Sequence, residues 1–152
     1  MKIKFNVNEI DQDFWSERAL KEARLIHANK KDQHRDFWED VLPMTKRGHA
    51  AEVYAIQFLN HKDDEDEYRD TFDVDGEPVD HKVSYSPYKL SLTLEKYEWD
   101  LNTARHRPNM ALRVYGWINQ FGSDEYHLHG IWEFDKKTKK LVYNSPEVWY
   151  NI

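Results

Sequence analysis

The chain has 152 residues, of which 14% are aromatic and 33% charged, with a mean hydropathy of -0.95. That is enough for one domain with a real core under a strongly solvated surface, and the lack of cysteine excludes disulfides, thiolate zinc sites and cysteine nucleophiles. The net charge of -6 counts against a polyanionic partner, but the acidity is local: ten acids face only Lys62 and Arg69 between His61 and Asp80, and the rest of the chain is slightly positive.

The first predicted element is a helix over residues 11–29, where Trp15, Ala19, Ala23 and Ile26 recur at helical spacing between charges. "DQHRDFWEDVLP" predicts a second, short helix that Pro43 closes, because proline disfavours helical backbone in the residue before it. "TKRGHAAEVYAIQFLN" is the clearest helix: Ala51, Tyr54, Ala55, Phe58 and Leu59 form one stripe, with Thr45 as its cap. Glu52 borders that stripe, because it makes a second i, i+3, i+4, i+7 set with Ala55, Ile56 and Leu59; the plain reading of such a residue is a solvated flank.

Asp63 to Glu67 reads as solvated loop. Residues 68–74 and 79–85 then flank "DGEP" as a hairpin, and Pro87 ends its second strand. "KLSLTLEKYEWDLNTAR" carries two periods: Leu90, Leu92 and Leu94 alternate as in a strand, while Leu94, Tyr97, Glu98 and Leu101 have helical spacing, so a strand or loop passing into a helix is expected. "MALRVYGWI" and "EYHLHGIWEF" predict two more strands, followed by a turn, a short strand and an aromatic tail. His127 and His129 share a strand face at a spacing that can bind zinc; without a third ligand the expectation is cross-strand packing. No apolar run is long enough for a membrane span and no secretory leader is readable, so a cytoplasmic protein with no membrane partner is expected.

The chemistry-bearing stretch is "VDGEPVDHKVS". Side chains two apart on a strand share a face, so Asp80, Lys82 and Ser84 point one way and Val79, His81 and Val83 the other. Hydrolysis of a phosphodiester uses a divalent cation to polarise the phosphoryl oxygen and activate water, and acids on neighbouring strands can hold that cation. A neighbouring lysine orients or deprotonates the attacking water or stabilises charge in the transition state. The same Asp80–Lys82 pair is also what an ordinary solvent-facing strand would carry.

With a preceding helical Glu52, an acid on the first hairpin strand and Asp80-His81-Lys82 on the second, the chain resembles the PD-(D/E)xK nuclease superfamily. The resemblance implies an α/β (α+β) fold: a restriction-endonuclease-like αβββαβ core over residues 45–134, a mixed central sheet flanked by helices, an N-terminal helical extension over 1–44 and a tail over 135–152. It implies a Mg²⁺-dependent deoxyribonuclease, with Mn²⁺ as a substitute ion, of the compact kind carried by phages and mobile elements. Glu52, Asp70 or Asp73, Asp80 and Lys82 would be catalytic, with Glu52, Asp70 and Asp80 on the metal. DNA is the expected partner, RNA remaining open, and Lys89, Lys96, Arg105 and Arg107 are the cations expected to guide the backbone. The rival is a catalytically inactive module on a similar scaffold that binds DNA or a partner protein.

The first acid depends on the turn. A two-residue loop puts Asp73 on the face of Asp80 and Lys82, whereas a three-residue loop around Gly76 with a bulge brings Asp70 opposite Lys82. Asp70 otherwise shares a mostly apolar face with Phe72 and Val74, which favours it. His81 is expected to pack with its ring partly exposed.

Overall fold

The computed structural model describes residues 3–64, 70–103, 108–146 and 150. Strand β1 (Lys4–Asn6) leads through a 3-10 turn into helix α1 (Gln12–Ala28), whose start is fixed by Asp11 accepting a hydrogen bond from Phe14 N at 3.0 Å. Trp15, Ala19 and Ala23 are buried, as their spacing predicts.

The second helix differs from expectation. A π-helical turn, Phe37–Val41, runs without interruption into α2 (Leu42–Phe58). Pro43 therefore opens α2 rather than closing a separate helix, since the first turn needs no N–H from it. Thr45 lies inside the helix, its hydroxyl donating to the Val41 carbonyl at 2.7 Å, and is not a cap. Glu52 is buried with Ala51, Val53 and Ala55, so the solvated-flank reading fails, and it is Phe58 that faces solvent.

Strands β2 (Lys62–Asp63), β3 (Thr71–Phe72) and β4 (Pro78–Ser84) follow. Next comes α3 (Pro87–Leu101), helical throughout: Ser86 caps it by accepting from Lys89 N at 3.2 Å, and Leu90, Leu94, Tyr97 and Leu101 are its buried stripe. Leu92, which suggested a strand, is exposed. β5 (Arg113–Ile118), β6 (Glu125–Asp135) and β7 (Lys140–Asn144) complete the order.

The architecture is mixed α and β. The sheet runs β1-β6-β5-β4-β3-β2, with β7 also on β6. β4 and β5 are parallel with α3 as their crossover, and the other pairs are antiparallel. One core cluster, containing Phe5, Trp15, Val53, Val79, Trp117 and Ile131, joins the sheet to α1 and α2; another joins Leu90, Leu94, Tyr97 and Leu101 of α3 to Val114 and Ile118. β4 therefore lies between two helical layers, its residues alternating between them. No helix among the described residues is long and apolar enough to cross a membrane.

Candidate active site

The hairpin before β4 is closed by Asp73 N to Glu77 O and Gly76 N to Asp73 O, both 3.0 Å, with Gly76 at φ 79°. The loop is thus Val74 to Gly76, the three-residue form whose last position needs left-handed backbone. The parity expected for that loop holds, but its offset differs. Thr71 pairs with Val79 and Phe72 with Pro78, so the ladder ends at Thr71 and its register does not set Asp70 opposite Lys82. Asp70 N donates to Val79 O at 2.9 Å, and its carboxylate Oδ2 accepts from His81 N at 2.7 Å. Asp70's side chain therefore satisfies the β4 amide that sits between the two chemistry-bearing residues.

Asp73 belongs to another set of contacts. Its Oδ1 accepts from Asp75 N at 2.9 Å and Glu77 N at 3.0 Å, and its Oδ2 pairs with Arg113, which also binds Glu133. This clasp ties the turn to β5 and β6.

Asp70, Asp80, Glu52 and Lys82 come together. Asp80 Oδ1 lies 3.1 Å from Lys82 Nζ, and that ammonium stands 4.7 Å from the centre of the Tyr97 ring on α3. Burial raises the Asp80 carboxyl above the usual range against the pull of Lys82. Burial, then the charges of Glu52 and Asp80, push Asp70 well above it. Glu52 is raised to about 7, chiefly by burial and further by Asp80 and Asp63, against the opposing pull of Arg18. Lys82 is desolvated, yet Asp80 and Asp70 raise it and hold it as an ammonium. Glu52 and Asp80 thus disfavour ionisation of Asp70, and Asp80 that of Glu52, while Asp80 itself feels chiefly its burial and the opposing charge of Lys82. Among the described residues, no three His, Asp or Glu side chains are arranged closely enough to hold one metal ion.

Sequence reasoning missed Arg18. From α1 its Nη2 bonds Glu52 Oε1 at 2.7 Å and the Asp70 carbonyl at 2.9 Å, while Nη1 pairs with Asp63. Its position beside buried Ala19 was the available signal, of the same kind that marked Glu52. Two buried nitrogens near Glu52, Arg18 Nε and His49 Nδ1, have no hydrogen-bond partner among the described residues. His49 Nε2 is 3.9 Å from Glu52 Oε2.

His81 is fully buried, correcting the expected half-exposed ring, and it belongs to a directed relay. Trp117 Nε1 can only donate, and it does so to His81 Nδ1 at 3.0 Å. Neutral His81 must then carry its proton on Nε2, 3.0 Å from Thr71 Oγ1, and Thr71 in turn donates to His61 Nδ1 at 2.8 Å. His61 Nε2 donates to the Tyr150 hydroxyl at 2.9 Å, which meets Tyr115 at 2.5 Å. Burial pushes His81 well below the imidazole range and His61 down to about 4. A lowered histidine contributes stability that is present above 6.5 and lost as pH falls toward about 4. The stability difference between wild type and His61→Gln is therefore expected to shrink over that window, as read by urea titrations at stepped pH; a constant difference would contradict a neutral, relayed His61.

Of the cations expected at a phosphate backbone, Lys89 is exposed in the first turn of α3, and Lys96 Nζ pairs with Asp100 at 2.9 Å. Arg105 and Arg107 lie outside the described residues. His129 packs its ring on Trp132 with centres 6.4 Å apart. Compared with family models, curated proteins and solved structures, the chain matches none.

Proposed function

We propose that the protein is a divalent-metal-dependent nuclease that hydrolyses phosphodiester bonds of DNA. The observation that carries this reading is the geometry around β4: Asp80 lies 3.1 Å from Lys82 Nζ, Asp70 accepts from the intervening His81 N at 2.7 Å, and buried Glu52 is near enough for its charge to act on Asp70 and Asp80's charge to act on it. The element order supports the resemblance to the PD-(D/E)xK superfamily: helix α2, hairpin, β4 with Asp80-His81-Lys82, crossover α3, then β5.

The donor set fits Mg²⁺, with Mn²⁺ as substitute. Its ligands are hard carboxylate oxygens, and Mg²⁺ takes few of these while keeping several waters, so no closed protein cage is required. Asp70, Asp80 and Glu52 would hold it, drawing in from the wider spacing they keep in this structure. Bound there, it supplies polarisation of the phosphoryl oxygen and an acidified water. The chain's own groups do the rest. Lys82, kept protonated by Asp80 and Asp70, donates hydrogen bonds to the attacking water and to the developing phosphate charge. Arg18 fixes Glu52 and the Asp70 backbone. The His81–Thr71–His61 relay holds β4 in register from its other face.

The test is cleavage of plasmid and single-stranded DNA by purified protein with Mg²⁺ and with EDTA. Cleavage that requires the ion and disappears in Lys82→Ala is expected; full activity in EDTA would sink the metal role. One observation favours the rival, a non-catalytic nucleic-acid or protein-binding module: Arg18 already engages Glu52 at 2.7 Å. Its outcome in the same assay is a folded protein without cleavage.

A further inference from the structure

Where β4 and β5 end, a three-tier stack stands at the surface. Buried Asn119 is fixed by donating from Nδ2 to the carbonyls of Ser123 and Glu125, both 2.9 Å. It in turn orients Arg47, accepting from Nε on Oδ1 at 2.9 Å and from Nη2 on its backbone oxygen at 3.0 Å. So held, the Arg47 guanidinium lies 3.9 Å from the centre of the Tyr85 ring, and Tyr85 meets Phe121 edge-on at 5.4 Å. Phe121, carried on a tight turn with Gly122 at φ 78°, is 84% exposed, and Tyr88 nearby in sequence is 68% exposed.

A single exposed ring is ordinary. This one stands edge-on to a Tyr85 ring that lies over Arg47, and Arg47 is held by a buried amide. What such a stack offers is a flat π face beside a fixed cation, which complements a flat group carrying negative charge. An unpaired nucleobase with its phosphate has both features, whereas duplex bases have their faces covered by their neighbours. Tyr85 directly follows the last residue of β4, three residues past Lys82 in the chain.

We propose that Phe121, Tyr85 and Arg47 form a base-stacking platform that takes single-stranded DNA and so gives the enzyme a preference for unpaired or frayed substrate. This rests on the nuclease reading above. The test measures binding of a labelled oligo-dT of about twelve nucleotides, and of a blunt duplex of equal length, with Ca²⁺ in place of Mg²⁺, alongside Mg²⁺-dependent cleavage of circular duplex. Phe121→Ala is expected to weaken oligo-dT binding about tenfold. Phe121→Trp retains it, and duplex binding and duplex cleavage are unchanged by either. Oligo-dT binding by Phe121→Ala and Tyr85→Leu equal to wild type, or no oligo-dT binding by wild type, overturns the platform while duplex cleavage keeps the nuclease reading. Phe121-dependent oligo-dT binding without Mg²⁺-dependent cleavage of any DNA does the reverse.

Discussion

Asp70→Asn is expected to lower Mg²⁺-dependent DNA cleavage on the order of 10³-fold and, at the same time, to make the metal-free protein more stable at pH 8. The two effects share one cause. Asp70 is buried with Glu52 and Asp80, and its carboxyl is raised well above its ordinary value of 3.8. A group raised on folding binds protons more tightly in the native state, so its contribution is full below 3.8 and is lost as pH rises. At pH 8 the acid is a net burden, offset only in part by His81 N and Lys82. Asparagine keeps an oxygen for His81 N while removing the charge, which should stabilise by about 2 kcal/mol, or about 5 °C in Tm. The gain should vanish near pH 4, and Mg²⁺ should raise the Tm of wild type at pH 8 but not that of the variant. Thermal unfolding at both pH values reads this; a destabilised variant at pH 8 would mean that Asp70 is paired structurally.

Arg18→Met should have the opposite sign. It leaves Glu52 without the guanidinium and Asp70 without a donor to its carbonyl. Breaking a buried pair from one side costs about 3–5 kcal/mol, corresponding to about 10 °C for a chain of this size. The cost should be smaller at pH 5, where Glu52, raised to about 7, is neutral in the folded protein. Arg18→Met/Glu52→Gln should recover most of the loss at pH 8, because no buried carboxylate then lacks a partner. Denaturant titration of the four proteins closes the cycle. A loss below about 0.5 kcal/mol in the single variant would mark the pair as energetically idle.

Much of the scaffold was legible because it is written in local periodicity. The stripe of α1, the turn at Gly76 and the strands after Pro108 each declare themselves within a few residues. Among the local readings that failed, two did so for reasons visible in the sequence. Leucines two apart at 90, 92 and 94 mimic a strand, but Ser86-Pro87 is a helix start, and the period of 3.6 then selects Leu90, Leu94, Tyr97 and Leu101. Pro43 reads as a stop or a start with equal ease, and the π-helical turn before it decided for a start.

The candidate site divides along the same line. The shared face of Asp80 and Lys82 follows from strand alternation, whereas helical phase alone marked Glu52 as a solvated flank and only the family resemblance placed it with them. The placement of Asp70 required counting residues in a turn whose length the sequence leaves open, and the structure sets it just beyond the β3–β4 ladder, bonded to Val79 O and His81 N. Arg18 and the relay were out of reach because they are made by tertiary contact. Arg18 lies 34 residues from Glu52, and His61 lies 89 from Tyr150. Local pattern carries no record of such pairings.

The central claim is that Glu52, Asp70 and Asp80 form a divalent-cation site. Isothermal titration of metal-free protein with Mg²⁺ at pH 7.5, in buffers of different ionisation enthalpy, tests it most directly. Saturable binding is predicted, with proton release because raised carboxyls must ionise to take the ion. Binding should be lost in Asp70→Asn/Asp80→Asn, with the fold retained by circular dichroism. No saturable Mg²⁺ binding by folded wild type, or equal binding by the double variant, would contradict the account.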